Sequence, residues 1–202
     1  MGLNTTIVKG FRKGFETKCL TLLIDAYHTS ITNHNYSTGG LENDFTSMLV
    51  NNIDKDPRRL RWDFHCHRDY HLHNDIPQFK KGFANKEDII DIRMSKISSN
   101  QEYCFYVEAK RLKENNSGLL NRYINTGIDH YISKKYPQGI LLSYLVEGGV
   151  DATIQKINDI LTKKKRVSEM LKRQSHSLHD HYFESTHLNY GVISHFVFDY
   201  TV

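Results

Sequence analysis

Cysteine and proline are scarce: this chain of 202 residues has three of each. Cys19, Cys66 and Cys104 are odd in number and widely spaced. Neither a disulfide framework nor a paired Cys-x-x-Cys site can be read from them, and a reducing, cytoplasmic setting is expected. Pro57, Pro77 and Pro137 form no Pro-rich linker, and no internal repeat or low-complexity stretch divides the chain. A single domain over residues 1–202 is expected, long enough for a substantial core. Long apolar runs are also missing. The longest, Ile140 to Val146, is interrupted by Ser143 and falls far short of the ~20 residues a membrane helix requires. The N-terminal MGLNTTIVKGFRKGFETK lacks the apolar centre of a signal peptide. A soluble, intracellular protein with no membrane partner is therefore expected. Neither a Walker-type loop nor a GxGxxG sequence occurs, which argues against nucleotide-driven motor activity.

Charge of one sign is in small excess. With 27 Lys+Arg against 23 Asp+Glu the net charge is +4, which allows a polyanionic partner through a local basic face without requiring one. Apolar residues make up 39% and charged residues 25%, a balance that argues against a wholly disordered chain.

Phe11, Phe15, Cys19, Leu22, Leu23 and Ala26 recur at helical spacing and predict a helix from about Phe11 to Tyr27. A polar segment runs on to Gly40, where Gly39-Gly40 reads as a turn. A second helix is predicted from near Leu41, with Phe45, Met48, Leu49 and Ile53 on one face, breaking before Pro57. Three strands follow, Arg61 to Tyr70, Ile89 to Met94 and Glu102 to Ala109, with a loop from Leu72 to Glu87. A helix from about Leu119 to Lys135 ends at Tyr136-Pro137, and GILLSYLV reads as a buried strand. After the turn at Gly148-Gly149, Asp151 is expected to cap a long amphipathic helix carrying Ile154, Ile157, Ile160, Leu161, Val167, Met170 and Leu171. A last strand spans Gly191 to Tyr200. The order α, α, β, β, β, α, β, α, β describes an α/β fold with a mixed sheet and helices on its faces.

Two segments carry the chemistry, EDIIDIRM (87–94) and YCFYVEAKRL (103–112). Each puts a carboxylate in an otherwise apolar strand, where an unpaired charge is costly. Glu108 and Lys110 stand two apart and leave the sheet on one face. A hairpin closed at the turn SKISSNQE would lay Asp91 beside Glu108. Two carboxylates and an ammonium on one face suit a hard divalent ion, which lowers the pKa of a bound water and stabilises charge on a phosphoryl group. Lys110 would position that water or stabilise the developing charge.

IIDIRM followed by YVEAKRL resembles the motif of the PD-(D/E)XK, or restriction-endonuclease-like, nuclease superfamily, with Ile90 in place of the proline before the aspartate. The resemblance covers about half the chain, a core of about 40–147. It implies an α-β-β-β-α-β core with a mixed central sheet flanked by helices. It also implies Mg²⁺ or Mn²⁺ held by Asp91 and Glu108 with help from the Ala109 carbonyl, and Lys110 as the catalytic lysine. The first core helix of the family often supplies another acid. Glu42 is the best match for that catalytic and metal-binding role and Asp44 the weaker one. The implied activity is hydrolysis of phosphodiester bonds in DNA, with RNA a lesser alternative, in restriction or phage defence. A homodimer or a partner subunit is the implied assembly.

Other readings stand beside this one. Asp91, Glu108 and Lys110 could form a structural salt bridge, and Glu42 and Asp44 could simply complement a helix N-terminus. The fold could serve a catalytically silent nucleic-acid-binding or scaffold subunit. Asp88 rivals Asp91, although it stands at the strand entrance. His65, Cys66, His67, His71 and His73 crowd one window and invite a zinc reading, but neither they nor His176, His179 and His181 show structural-zinc spacing. The run Thr162 to Arg166, and Arg58, Arg59, Arg61 and Arg111, are candidate phosphate contacts; Arg111 should point away from Lys110 as a support residue. Tyr123, Tyr131, Tyr136 and Tyr144 read as core or rim aromatics.

Overall fold

Ser98 and Gln101 face each other across a two-residue turn, where Ser99 and Asn100 adopt positive φ of 52° and 62°. That geometry follows the twist of an antiparallel pair, so the hairpin expected around SKISSNQE closes tightly. The computed structural model describes residues 5–72 and 88–202. The elements in chain order are α1 (Thr5–Thr32), α2 (Glu42–Lys55), α3 (Pro57–Arg61), β1 (His65–Leu72), β2 (Asp88–Ser98) and β3 (Gln101–Leu112). Then come α4 (Ser117–Arg122), a π-helical turn (Tyr123–Ile128), α5 (Asp129–Ile132), β4 (Ile140–Leu145), α6 (Val150–Lys163) and a 3₁₀ turn (Val167–Glu169). Strands β5 (Lys172–Arg173), β6 (Tyr182–His187) and β7 (Gly191–Asp199) complete the order.

The seven strands form one mixed sheet in the order β1-β2-β3-β4-β7-β6-β5. β3, β4 and β7 are mutually parallel neighbours, flanked by antiparallel pairs on either side. On one face, Leu22 and Leu23 of α1 and Phe45, Leu49 and Ile53 of α2 pack on Val107, Leu142 and Phe198. On the other, Tyr123, Ile128, Ile157 and Leu161 pack on Leu141, Leu145 and Val197. Every residue of β4 is buried, as expected of a central parallel strand covered on both faces. The fold is α/β with helices on both faces of the sheet. No helix among the described residues is long and apolar enough to cross a membrane.

Several expected boundaries move. Helix α1 extends beyond Phe11–Tyr27 at both ends. Pro57 stops α2 but also opens α3, with Asp56 capping the new helix by accepting from Arg58 N at 2.8 Å. Arg61 therefore ends a helix, and the first strand starts only at His65. The expected loop from Leu72 to Glu87 lies, apart from Leu72 itself, outside the described residues. The last long helix stops at Lys163 because Lys165 turns left-handed at φ 60°, so Val167, Met170 and Leu171 lie beyond it. Asp151 is the second residue inside α6 rather than its cap, and it pairs with Arg173. Strands β5 and β6 were not expected.

Candidate active site

The ladder between β2 and β3 stops at Ile92↔Val107. Carried one step further, it would set Asp91 opposite Glu108. Instead the strands part. Ala109 N–H donates to Asp91 Oδ2 at 2.6 Å, and Arg111 N–H donates to Glu42 Oε2 at 2.8 Å. Residues two apart present their N–H groups along the same strand edge. Two donors that a continuing β2 would have taken are thus satisfied by carboxylates from β2 and α2.

The parting coincides with a change of face. Ile92 and Met94 belong to the cluster under α1 and α2, while Ile90 belongs to the opposite one. β1 changes face beside it: Cys66 packs on the first cluster, Tyr70 and Leu72 on the second, and Asp69 between them has φ 50°. Asp91 therefore does not sit in the plain alternation its sequence suggested; it stands where the strand crosses between faces.

Glu108 and Lys110 share the face of β3 that packs under α4 and the π-helical turn, and both are almost fully buried. Lys110 Nζ donates to Glu108 Oε1 and to the Ala109 carbonyl, the latter at 2.8 Å. Tyr136 OH donates to Glu108 Oε1 at 3.4 Å. Burial raises the Asp91 carboxyl above the usual carboxylate range, against the opposing pull of Lys110 and the Ala109 N–H. Glu108 is pushed up to about 8, by burial first and then by the Asp91 charge, and Lys110 offsets this only in part. The pair has too little positive charge around it for both carboxylates to ionise easily.

Glu42 and Asp44 divide their work. Asp44 Oδ2 accepts from Leu41 N at 2.7 Å, the reciprocal half of a capping box. Glu42, at the first helical position, reaches across to β3. Besides the Arg111 N–H it meets Arg122 Nη2 at 2.9 Å and lies 3.6 Å from Lys110 Nζ. Arg122 was not singled out in the sequence, since an arginine in an ordinary helix carries no signal.

The π-helical turn closes over this site. A Cβ at Gly127 would stand 3.1 Å from both methyls of Leu141, which would have to shift, and 3.6 Å from Lys110 Cγ, so the turn lies close above Leu141 and the lysine stem. Tyr123, at the head of the turn, starts a chain of polar contacts that sequence reasoning missed entirely. Its OH meets His195 Nδ1 at 2.6 Å, and His195 Nε2 meets Ser185 Oγ at 2.7 Å. Ser185 Oγ meets His187 Nε2, and His187 Nδ1 meets Glu169 Oε2, both at 2.7 Å. Arg166 then bridges Glu169 and Asp129 at 2.6 and 2.7 Å. Ser185, His187 and Glu169 mimic a nucleophile, base and orienter. However, Ser185 is 1% exposed and its hydroxyl is shared with a second histidine, so it is a core strut.

The remaining candidates lie elsewhere. Asp88 pairs with Lys135 at 3.0 Å. Arg111 donates to Thr38 O at 3.1 Å, on the face away from Lys110. Arg58 pairs with Asp25 and Asp56, and Arg59 with Asp54. Within the basic run, Lys164 meets Asn125 at 2.7 Å and Arg166 pairs with Glu169 and Asp129. His65, His67 and His71 are exposed along β1; His73 lies outside the described residues. His179 is buried, with Nε2 2.8 Å from Val197 O. Tyr123, Tyr131, Tyr136 and Tyr144 are all buried.

No family model, curated protein or solved structure matches this chain. The chemistry must be judged from the donors themselves. Among the described residues no three His, Cys, Asp or Glu side chains converge as a ready cage for a metal ion. The donors gathered at the strand split are Asp91, Glu108 and the Ala109 carbonyl, all oxygens. That set fits Mg²⁺ or Mn²⁺, which use one or two carboxylates and retain several waters. The raised carboxyls of Asp91 and Glu108 fit it too, since a cation there would supply the missing charge.

Proposed function

We propose that this protein is a metal-dependent nuclease of the PD-(D/E)XK, restriction-endonuclease-like type, hydrolysing phosphodiester bonds in DNA. One observation carries the reading: Asp91, Glu108 and Lys110 meet where β2 leaves β3, with Glu42 brought in from the preceding helix. The order α2, β1, β2, β3, α4–α5, β4 supports it, since it follows the α-β-β-β-α-β order of that family's core.

Asp91 and Glu108, with the Ala109 carbonyl, would hold Mg²⁺ or Mn²⁺. When bound, the ion would lower the pKa of a water and neutralise charge on the phosphoryl oxygens. The protein's own residues do the rest. Asp91 is fixed by the Ala109 N–H and lies within hydrogen-bond reach of Glu108. Lys110, buried on the same face of β3, keeps its ammonium between Glu108 and Glu42, where it can orient an attacking water and stabilise the developing negative charge. Glu42, held by Arg122 and a backbone N–H, completes the acidic shell. A cytoplasmic role in restriction or phage defence goes with this reading.

The test is incubation of the purified protein with plasmid and single-stranded DNA plus Mg²⁺ or Mn²⁺, with EDTA and Lys110→Ala as controls. Cleavage that disappears in both controls is expected. Cleavage unaffected by Lys110→Ala, or by Asp91→Ala, would remove the proposed site from the chemistry. No cleavage of either substrate would favour a catalytically silent subunit acting with a partner.

A further inference from the structure

We infer that Lys110 and a divalent cation compete for the same oxygens, so that the lysine gates metal binding at its own site. The inference rests on the metal-centre reading above and concerns how that centre is regulated.

The Lys110 ammonium is not simply near the acidic pair. It donates to Glu108 Oε1 and to the Ala109 carbonyl at 2.8 Å, two of the oxygens a cation would need. Asp91 accepts from the Ala109 N–H at 2.6 Å and lies within hydrogen-bond reach of Glu108 itself. A cation joining Asp91 to Glu108 and Ala109 O must therefore expel the ammonium. With 4% exposure, Lys110 is too enclosed for water to replace those bonds easily. It needs a protein acceptor to move to.

Glu42 supplies one. Its Oε1 lies 3.6 Å from Lys110 Nζ and is kept in place by Arg122 at 2.9 Å. Nζ already lies within ion-pair distance of that oxygen, so a small swing of the distal carbons carries the ammonium from Glu108 towards Glu42. Glu42 thereby acts as a positioning residue, the resting place of the displaced lysine.

The test measures Mn²⁺ binding without nucleic acid, by calorimetry, on the wild type, Lys110→Met and Glu108→Gln. Lys110→Met keeps the apolar stem and removes the competing charge, so it should bind Mn²⁺ at least about tenfold more tightly while failing to cleave. Glu108→Gln should lose binding. Lys110→Gln, which removes the charge but keeps a polar end, should also bind Mn²⁺ more tightly than the wild type; this arm decides the matter if Lys110→Met fails to fold. Equal or weaker binding in a folded Lys110→Met or Lys110→Gln would overturn the competition. Mn²⁺ binding in neither protein would overturn the competition and the metal centre together. Competition observed without cleavage of any DNA would remove the nuclease reading alone.

Discussion

His195 is fully buried and has a partner at each ring nitrogen. With neutral rings the hydrogen bonds run one way. Tyr123 OH donates to His195 Nδ1, His195 Nε2–H to Ser185 Oγ, Ser185 O–H to His187 Nε2, and His187 Nδ1–H to Glu169. A second proton on either ring would make the facing hydroxyl turn from donor to acceptor and leave its own O–H without that partner. Burial, with a smaller push from His187, holds His195 down to about 3. Burial also lowers His187, against the pull of Glu169. In the unfolded chain both rings take up protons near the ordinary histidine value, so in acid the unfolded state binds more. Their contribution to stability is complete above about pH 6.5 and is lost as pH falls towards 3, by on the order of a few kcal/mol. Urea midpoints should therefore drop between about pH 7 and about pH 4, and drop less in His195→Gln, which has no ring to protonate. An equal drop in both proteins would show that the histidine chain carries no such linkage. Legibility at this scale follows burial cost. Asp91, Glu108 and Lys110 stood out because a charge inside an apolar strand needs a reason. Ser185 and His187 did not, because hydroxyls and imidazoles are common on surfaces and their strand alternation looks polar.

Four helices end in the same way. An N–H five residues on bonds back to a carbonyl, a second bond nests inside it, and the residue between is left-handed. His34 does this after α1, Asp63 after α3, Lys134 after α5 and Lys165 after α6, with φ of 48°, 58°, 60° and 60°. At α6 the bonds are Arg166 N to Leu161 O at 2.8 Å and Lys165 N to Thr162 O at 2.9 Å. This is the Schellman turn, in which glycine is the usual left-handed residue. Here no glycine marks the stop. Apolar spacing continues through Val167, Met170 and Leu171, which is why the helix read too long in sequence and why the strands after it were hidden. The stops matter to the site. The one at Lys134 sends the chain to Tyr136, over Glu108, and the one at Lys165 turns Arg166 back to Asp129 and Glu169. A side chain at a left-handed position costs about 1 kcal/mol, partly offset by the freedom a glycine adds to the unfolded chain. Lys165→Gly and Lys134→Gly should each gain about 0.5–1 kcal/mol, a rise of about 1–4 °C in Tm for a chain of this size. Lys165→Ala should give no such rise. A calorimetric scan in which both glycine variants melt lower would mean that the lysine side chains contribute more than their backbone strain costs.

The segment that carries the nuclease-like pattern, about 40–147, does not contain the parts that close its own core. β4 lies between β3 and β7, and β7 arrives only after α6, β5 and β6. The cluster under α1 and α2 draws Phe15, Leu22 and Leu23 from before the segment and Phe196, Phe198 and Tyr200 from after it. The two ends are tied directly: Tyr27 OH donates to Asp199 O at 2.8 Å, and Ser30 Oγ meets Tyr200 OH at 3.2 Å. Cut at both ends, the segment would leave β4, buried along its whole length, as an apolar edge strand open to other chains. Sequence pattern finds a motif wherever its residues are close in the chain, but the pairing of β4 with β7 is long-range and leaves no local trace. A fragment of residues 40–147 should accordingly fail to unfold cooperatively in urea and should aggregate, while the whole chain shows one sharp transition. It should also lose Mn²⁺ binding, because Glu108 and Lys110 sit on β3, whose far edge is secured only through β4. A monomeric fragment with a sharp urea transition would show instead that α1 and β5–β7 are additions to a self-sufficient core, and that the site's geometry is set within that core alone.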